Sequence, residues 1–173
     1  MKYFPVLIFT IIATLFSVAQ GNCLPEWTEW NGHCYRYMSQ YRKNWAEASN
    51  ICKTESQKNR GHLVTIESEK ENEFLRNWWI NILSPLKGGK WQYIWTGLND
   101  IDEEGTFVWS DGSHVTYTNW GESQPDNRFN NSDCVTMVVR RASDPGKWDD
   151  ARCYGRRAYI CEYTCTDCEN SNV

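Results

Sequence analysis

Gln124-Pro125-Asp126 sets a carboxamide and a carboxylate on either side of a proline, and Trp148-Asp149-Asp150 supplies two further carboxylates downstream. An X-Pro bond is the one peptide linkage at which the cis form is cheap, about 0.5 to 1 kcal/mol above trans. In the cis form the side-chain oxygens of Gln124 and Asp126 are expected to point toward one spot. If Asp149 and Asp150 reach that spot, three carboxylates and an amide oxygen converge. A site built only of hard oxygens suits calcium better than zinc. The same tripeptide is also ordinary turn chemistry, so its context decides between the two readings.

The chain has 173 residues, room for one domain with a sizeable core. Its first 21 residues read as a secretory signal peptide: Lys2, an apolar stretch from Tyr3 to Leu15, then small residues Ser17, Ala19 and Gly21. An uncleaved anchor is the alternative. No second apolar span follows, so the expected product is secreted, with no insertion into a membrane. Eight cysteines in such a chain predict four disulfides. A zinc cluster fits poorly, because Cys165-x-x-Cys168 is the sole CxxC and there are three histidines. The formal charge is −4, and loss of Lys2 makes it more negative, which argues against nucleic acid or an anionic membrane as partner. His33, His62 and His114 are dispersed and no nucleophile elbow is present, so an enzyme is not expected.

Cys23 to Cys34 reads as a small disulfide-closed hairpin, continued by the alternating Tyr35-Arg36-Tyr37. Trp45, Ala48, Ile51 and Cys52 fall at helical spacing behind a candidate N-cap, Asn44. Lys53 to Arg60 is wholly polar and predicts a loop, His62 to Ile66 a strand. Ser68 and Glu71 have capping-box spacing for a second helix through Phe74, Leu75, Trp78 and Trp79, ending before Pro85. After the loop Lys87-Gly88-Gly89-Lys90, Tyr93 to Leu98 is apolar enough for a buried strand, and Thr106 to Trp109 predicts a strand closed by the turn Ser110-Asp111-Gly112. Residues 118–133 lack periodicity, and so long a loop in a compact domain is either functional or disordered. Cys134 to Arg140 and Arg157 to Tyr163 read as strands, and Trp148 to Cys153 as a turn into the last one.

The cysteines, Trp95-Thr96-Gly97-Leu98, Gln124-Pro125-Asp126 and Trp148-Asp149-Asp150-Ala151-Arg152-Cys153 together resemble the C-type lectin domain, over nearly all of residues 23–163. The resemblance implies an α+β fold with two helices, small antiparallel sheets and a long calcium-binding loop region stapled by disulfides. The domain is expected over 22–163, with a short tail at 164–173. It implies the pairs Cys23 with Cys34, Cys52 with Cys161 and Cys134 with Cys153. Closing the long loop from Cys52 to Cys161 is worth about 4 to 5 kcal/mol in the chain-entropy view. Cys165 and Cys168 are left in the polar tail, either joined to each other or linking a homodimer.

Carried onto this chain, the principal calcium ligands of the family fall on Gln124, Asp126, Ser132, Asp149 and Asp150. A glutamate is usual where Ser132 stands and an asparagine where Asp149 stands, so a carboxylate lost at one position is regained at the other. An auxiliary calcium site would fall on Asp100, Glu104, Asn127 and Asp133, or these residues are simply a solvated acidic loop. Gln-Pro-Asp members of the family usually prefer galactose or N-acetylgalactosamine. The implied function is a secreted calcium-dependent lectin for such glycans, with Gln124, Asp126 and Asp149 contacting sugar. The alternative is a domain of the same fold that binds a protein or other non-sugar surface. Phe129 is the candidate ring to stack on the apolar face of galactose, while Trp120 and Trp148 read as packing residues. Asn130-Asn131-Ser132 is an acceptor sequence for N-glycosylation, and since a glycan there would crowd the binding loop it is expected to be unused or regulatory.

Overall fold

The computed structural model describes residues 23–56, 58, 60–83, 92–128, 130–139 and 146–165, Tyr41 and Leu83 by their backbone alone. The expectations for residues 1–21, for the loop at 87–90, for Phe129 and for Cys168 lie outside the described residues. In chain order come strands Thr28–Trp30 (β1) and His33–Lys43 (β2), helix Trp45–Glu55 (α1), strand His62–Leu63 (β3) and helix Glu69–Leu83 (α2). Strands Gln92–Asn99 (β4), Val108–Trp109 (β5), Cys134–Val139 (β6), Lys147–Ala151 (β7) and Arg157–Thr164 (β8) complete the order. They hydrogen-bond along the path β1-β2-β8-β4-β6-β7, with β3 added on β8 and β5 on β4. β4 and β8 run parallel, and this contact joins the expected antiparallel pieces into one mixed sheet.

Local chemistry starts each helix. The Asn44 side chain accepts from the Glu47 N–H at 2.8 Å, and the Glu47 carboxylate accepts from the Asn44 N–H at 3.3 Å, so both ends of a capping box are made. α1 runs to Glu55 rather than ending before Lys53, whose charge in the last turn suits the helix dipole. Ahead of α2, Ser68 Oγ accepts from the Glu71 N–H at 3.2 Å, but the Glu71 carboxylate does not complete the box. It accepts instead from the Glu67 N–H at 2.9 Å and from the buried Tyr35 hydroxyl at 2.8 Å.

Successive strand side chains point to opposite faces of a sheet, and this divides the interior in two. Ile94 and Leu98 of β4, Val135 and Met137 of β6 and Ile160 of β8 pack with Leu75 and Trp79 of α2. Trp95 of β4 and Tyr159 and Cys161 of β8 face the other way, with Ala48 and Cys52 of α1. Gly97 has no room for a side chain, since a Cβ would lie 2.7 Å from Ser110 Oγ and 2.8 Å from the Leu63 carbonyl.

Three sequence readings shift. Only His62–Leu63 of the expected His62–Ile66 strand pairs regularly, because the N–H of Thr65 bonds the Glu162 carboxylate at 2.9 Å instead of a strand. Thr106–Trp109 shortens to Val108–Trp109. The run from Trp148, read as a turn, is a strand as far as Ala151, pairing along β6. The disulfides Cys23–Cys34, Cys52–Cys161 and Cys134–Cys153 are as the resemblance implies. Cys165 is not in a tail outside the fold: it is buried, its N–H donates to the Gly32 carbonyl at 2.8 Å, and it is disulfide-bonded. Its sulfur lies within 4.8 Å of those of Cys23 and Cys34. All three being oxidised, they offer no thiolate to a metal.

Candidate metal centre

β7 closes one end of the strand path, and the loop 118–133 lies along its outer edge. The N–H of Trp148 donates to the Asn119 carbonyl at 2.9 Å, and the N–H of Gly121 to the Trp148 carbonyl at 2.8 Å. Trp148 is the anchor for both: its ring is buried against Trp109, Tyr117 and Trp120, and its Nε1 donates to Asn72 Oδ1 at 2.9 Å. Trp120 packs edge-on against Phe107, so both tryptophans are spent on packing, as their sequence context suggested.

Beyond this anchor the Gln124–Pro125 bond is cis. Asp150, the residue after next on β7, accepts the N–H of Asp126 on Oδ1 at 2.9 Å and the N–H of Asn127 on Oδ2 at 2.7 Å. Gln124 Oε1 accepts from the Asp126 N–H at 3.2 Å, and Asp126 Oδ1 from the Arg128 N–H at 3.1 Å. The acidic run and the Gln-Pro-Asp loop are therefore in contact. Each brace also leaves acceptor lone pairs, since a carboxylate offers about four sites.

The electrostatics of the cluster favour a cation. The Asp149 carboxyl is raised above its ordinary range by burial first, then by the charges of Asp150 and Asp126, against the pull of Arg157 and Arg128. Asp150 is raised by burial too, opposed by the N–H groups of Asp126 and Asn127 that it accepts. Carboxylates that repel one another where the loop meets the sheet are relieved by a hard divalent ion. The donor set of Gln124, Asp126, Asp149 and Asp150 fits calcium.

Ser132 is the exception. It is buried, its hydroxyl donates to the Arg128 carbonyl at 2.9 Å, and its N–H donates to Asn127 Oδ1 at 3.1 Å. The hydroxyl expected among the calcium ligands thus spends its proton on bracing the loop.

The four auxiliary residues also meet. The N–H of Asp100 donates to the Asp133 carbonyl at 3.0 Å, and Asp100 Oδ2 accepts from the Gly105 N–H at 2.8 Å. Asp100 Oδ1 is buried with no hydrogen-bond partner. Glu104 is raised by desolvation, then by Asp100 and Asp133, with Asn127 drawing it the other way. A buried carboxylate oxygen without a donor is an incomplete site, and a cation beside it would complete this one.

Arg157 escapes the sequence reading. Its guanidinium lies over the rings of Tyr93 at 4.9 Å and Trp95 at 4.8 Å from their centroids. Trp95 pairs with Thr136 and Thr136 with Asp149 in the strand register, so these three side chains share one face of the sheet. Arg157 is placed on that face by pairing between β4, β6, β7 and β8, a relationship that no linear spacing carries.

The Lectin C-type domain family matches residues 41–163. The chain belongs to the C-type lectin family. This lectin is 36% identical over 175 residues to an alpha-N-acetylgalactosamine-specific lectin of Patiria pectinifera, covering 96% of this chain and 100% of that one. It is 32% identical to lectin BRA-3 of Megabalanus rosa, over 92% of this chain and 91% of that one. The crystal structure of the C-type lectin CEL-I from Cucumaria echinata superposes with a TM-score of 0.71 at 31% identity, covering 83% of this chain and 98% of that one. These relatives are named as lectins, that is, as carbohydrate-binding proteins. No helix among the described residues is long and apolar enough to cross a membrane.

Proposed function

We propose that this lectin is secreted and binds galactose or N-acetylgalactosamine-type glycans through calcium held by Gln124, Asp126, Asp149 and Asp150. The observation that carries the reading is the pair of hydrogen bonds that the Asp150 carboxylate accepts from the N–H groups of Asp126 and Asn127, which fixes the Gln-Pro-Asp loop beside the repelling Asp149 carboxylate. Calcium, when bound, would accept lone pairs from two vicinal sugar hydroxyls. The chain supplies the rest of the recognition. Gln124 has an NH2 to donate, while Asp126 and Asp149 can only accept, so a diol must present one acceptor toward Gln124 and donors toward the aspartates. The specificity named for the Patiria pectinifera relative supports the galactose side of this reading. Asp100, Glu104, Asn127 and Asp133 would hold an auxiliary calcium, supported by the partnerless Asp100 oxygen.

A homodimer through Cys165 or Cys168 would raise avidity without new contacts. Cys165 is already disulfide-bonded in the single chain, so such a link would need that bond exchanged, and electrophoresis with and without reductant decides. The second reading, a non-sugar surface, draws on Ser132, which braces the loop instead of facing a ligand. A glycan array run with calcium and with chelator separates the readings. Galactose-type signals that vanish in chelator support the lectin assignment; mannose bound better than galactose removes the galactose specificity, and no chelator-sensitive signal favours the second reading.

A further inference from the structure

We propose that Asn130 carries an N-linked glycan, and that this glycan acts as a steric gate over the Gln124–Asp126 loop. The gate rests on the sugar-binding reading above; the modification does not. Asn130-Asn131-Ser132 is the one Asn-x-Ser/Thr acceptor sequence in the 173 residues, and its middle residue is not proline.

The fold presents this acceptor. Asn130 is exposed, in a left-handed turn with φ 55°, and its N–H donates to the Asn127 carbonyl at 2.8 Å. Asn127 in turn donates its N–H to Asp150 Oδ2 at 2.7 Å. The acceptor therefore stands two hydrogen bonds from a principal ligand of the candidate metal centre. Its neighbours in the triplet are tied down: Asn131 Oδ1 accepts from Arg152 Nε at 2.9 Å, and the Ser132 hydroxyl is turned inward to the Arg128 carbonyl. Asn131 is exposed but held by Arg152 and Ser132 is buried, whereas the exposed Asn130 reaches solvent with its backbone alone tied down.

Ser132 gains a purpose on this reading. It stands where the resemblance leads one to expect a carboxylate, and as a ligand it adds nothing, its hydroxyl being buried and directed at a backbone carbonyl. A serine at 132 is what makes Asn130 an acceptor. In the transfer, the Asn130 side-chain nitrogen bonds to the anomeric carbon of an oligosaccharide diphosphate donor of the secretory route. The nitrogen gives up one proton, and the diphosphate leaves with the electron pair of the broken C–O bond. Nothing in the lectin is oxidised or reduced. A solvated oligosaccharide rooted there sweeps the space in front of Gln124 and Asp126. It hinders large glycans and surfaces more than a free monosaccharide.

The test uses the full chain secreted from eukaryotic cells as wild type, Asn130→Gln and Ser132→Thr. Intact mass is expected to show one glycan on the wild type and on Ser132→Thr, removed by peptide N-glycosidase and absent from Asn130→Gln. Retention on a galactose-coated matrix should rise several-fold when the glycan is removed by enzyme or by Asn130→Gln, with affinity for free galactose unchanged. Equal masses for wild type and Asn130→Gln overturn the modification. A glycan whose removal leaves retention unchanged overturns the gate, as does failure of both forms to bind any galactose, which also sinks the function proposed above while mass still decides occupancy.

Discussion

Asp150 holds Asn127 by its backbone, N–H to Oδ2 at 2.7 Å, while the Asn127 side chain accepts the Ser132 N–H at 3.1 Å and lies near enough to Glu104 to draw its carboxyl down. One residue thus ties the principal site to the auxiliary one. In Asp150→Asn an NH2 group replaces one acceptor oxygen and meets a backbone donor. Leaving a part-buried N–H unpaired costs about 1 to 3 kcal/mol. The expected result in a calorimetric calcium titration is weaker binding at both sites, together with loss of galactose retention. A variant in which the auxiliary step is untouched would show that the two clusters are independent.

The Tyr35–Glu71 pair makes the scaffold sensitive to pH. Glu71 is pushed up to about 7, by burial first, then by Glu162, against the help of the Glu67 N–H and the Tyr35 hydroxyl. Its value in the unfolded chain is that of an ordinary glutamate, so the folded form is the better proton binder. The stabilisation is fully present below about pH 4.5 and is lost as pH rises through about 7, by about 3 kcal/mol for a shift of this size. His33, raised chiefly by its bond to Glu162 at 2.6 Å, acts in the same direction, losing its share as pH rises past its own elevated value. Urea midpoints measured from pH 4.5 to 8 should fall with rising pH in the wild type and fall less in Glu71→Gln.

How far the sequence carries can be argued from these residues. Helical spacing found α1 and α2, and turn chemistry found the Gln124–Pro125 loop, because these depend on neighbours along the chain. Placing Asp150 against Asp126 and Asn127 needed the whole-chain resemblance, since the contact spans 24 residues. The strand character of Trp148–Ala151 was hidden because its two aspartates break the apolar alternation, and only pairing with β6 at an edge makes it a strand. Ser132 illustrates the remaining gap: its position could be aligned with a ligand, but the direction of its hydroxyl is a tertiary fact.

Arg157 and Asp149 give a test of charge balance. Arg157 stands on β8, but its guanidinium lies over Tyr93 and Trp95 of β4, two strand spacings or on the order of 10 Å from β7, where unit charges at an effective dielectric near 20 interact by about 1 to 2 kcal/mol. Asp149→Asn should weaken calcium binding about tenfold or more. Arg157→Met keeps the stem between Tyr93 and Trp95 but removes the positive charge, so calcium should bind more tightly. Arg157→Lys should resemble the wild type. A tighter site in Arg157→Lys as well would mean that ring packing, and not charge, sets the affinity.

Removing disulfides should separate stability from site geometry. Cys134 follows Asp133 directly, and Cys153 lies three residues beyond Asp150, so the bond between them brackets the β6–β7 hairpin that presents both aspartates. Its 19-residue loop is worth about 3 kcal/mol in the chain-entropy view, less than the 109-residue closure of Cys52 with Cys161. The larger bond joins α1 to β8, far along the sheet from β7. Cys52→Ala with Cys161→Ala should therefore lower the melting temperature more. Cys134→Ala with Cys153→Ala should lower it less, yet weaken calcium binding of the molecules that stay folded. Measuring calcium affinity well below each variant's melting point distinguishes the two effects; equal affinities in both variants would place the support of the metal centre in the loop's own hydrogen bonds to Asp150.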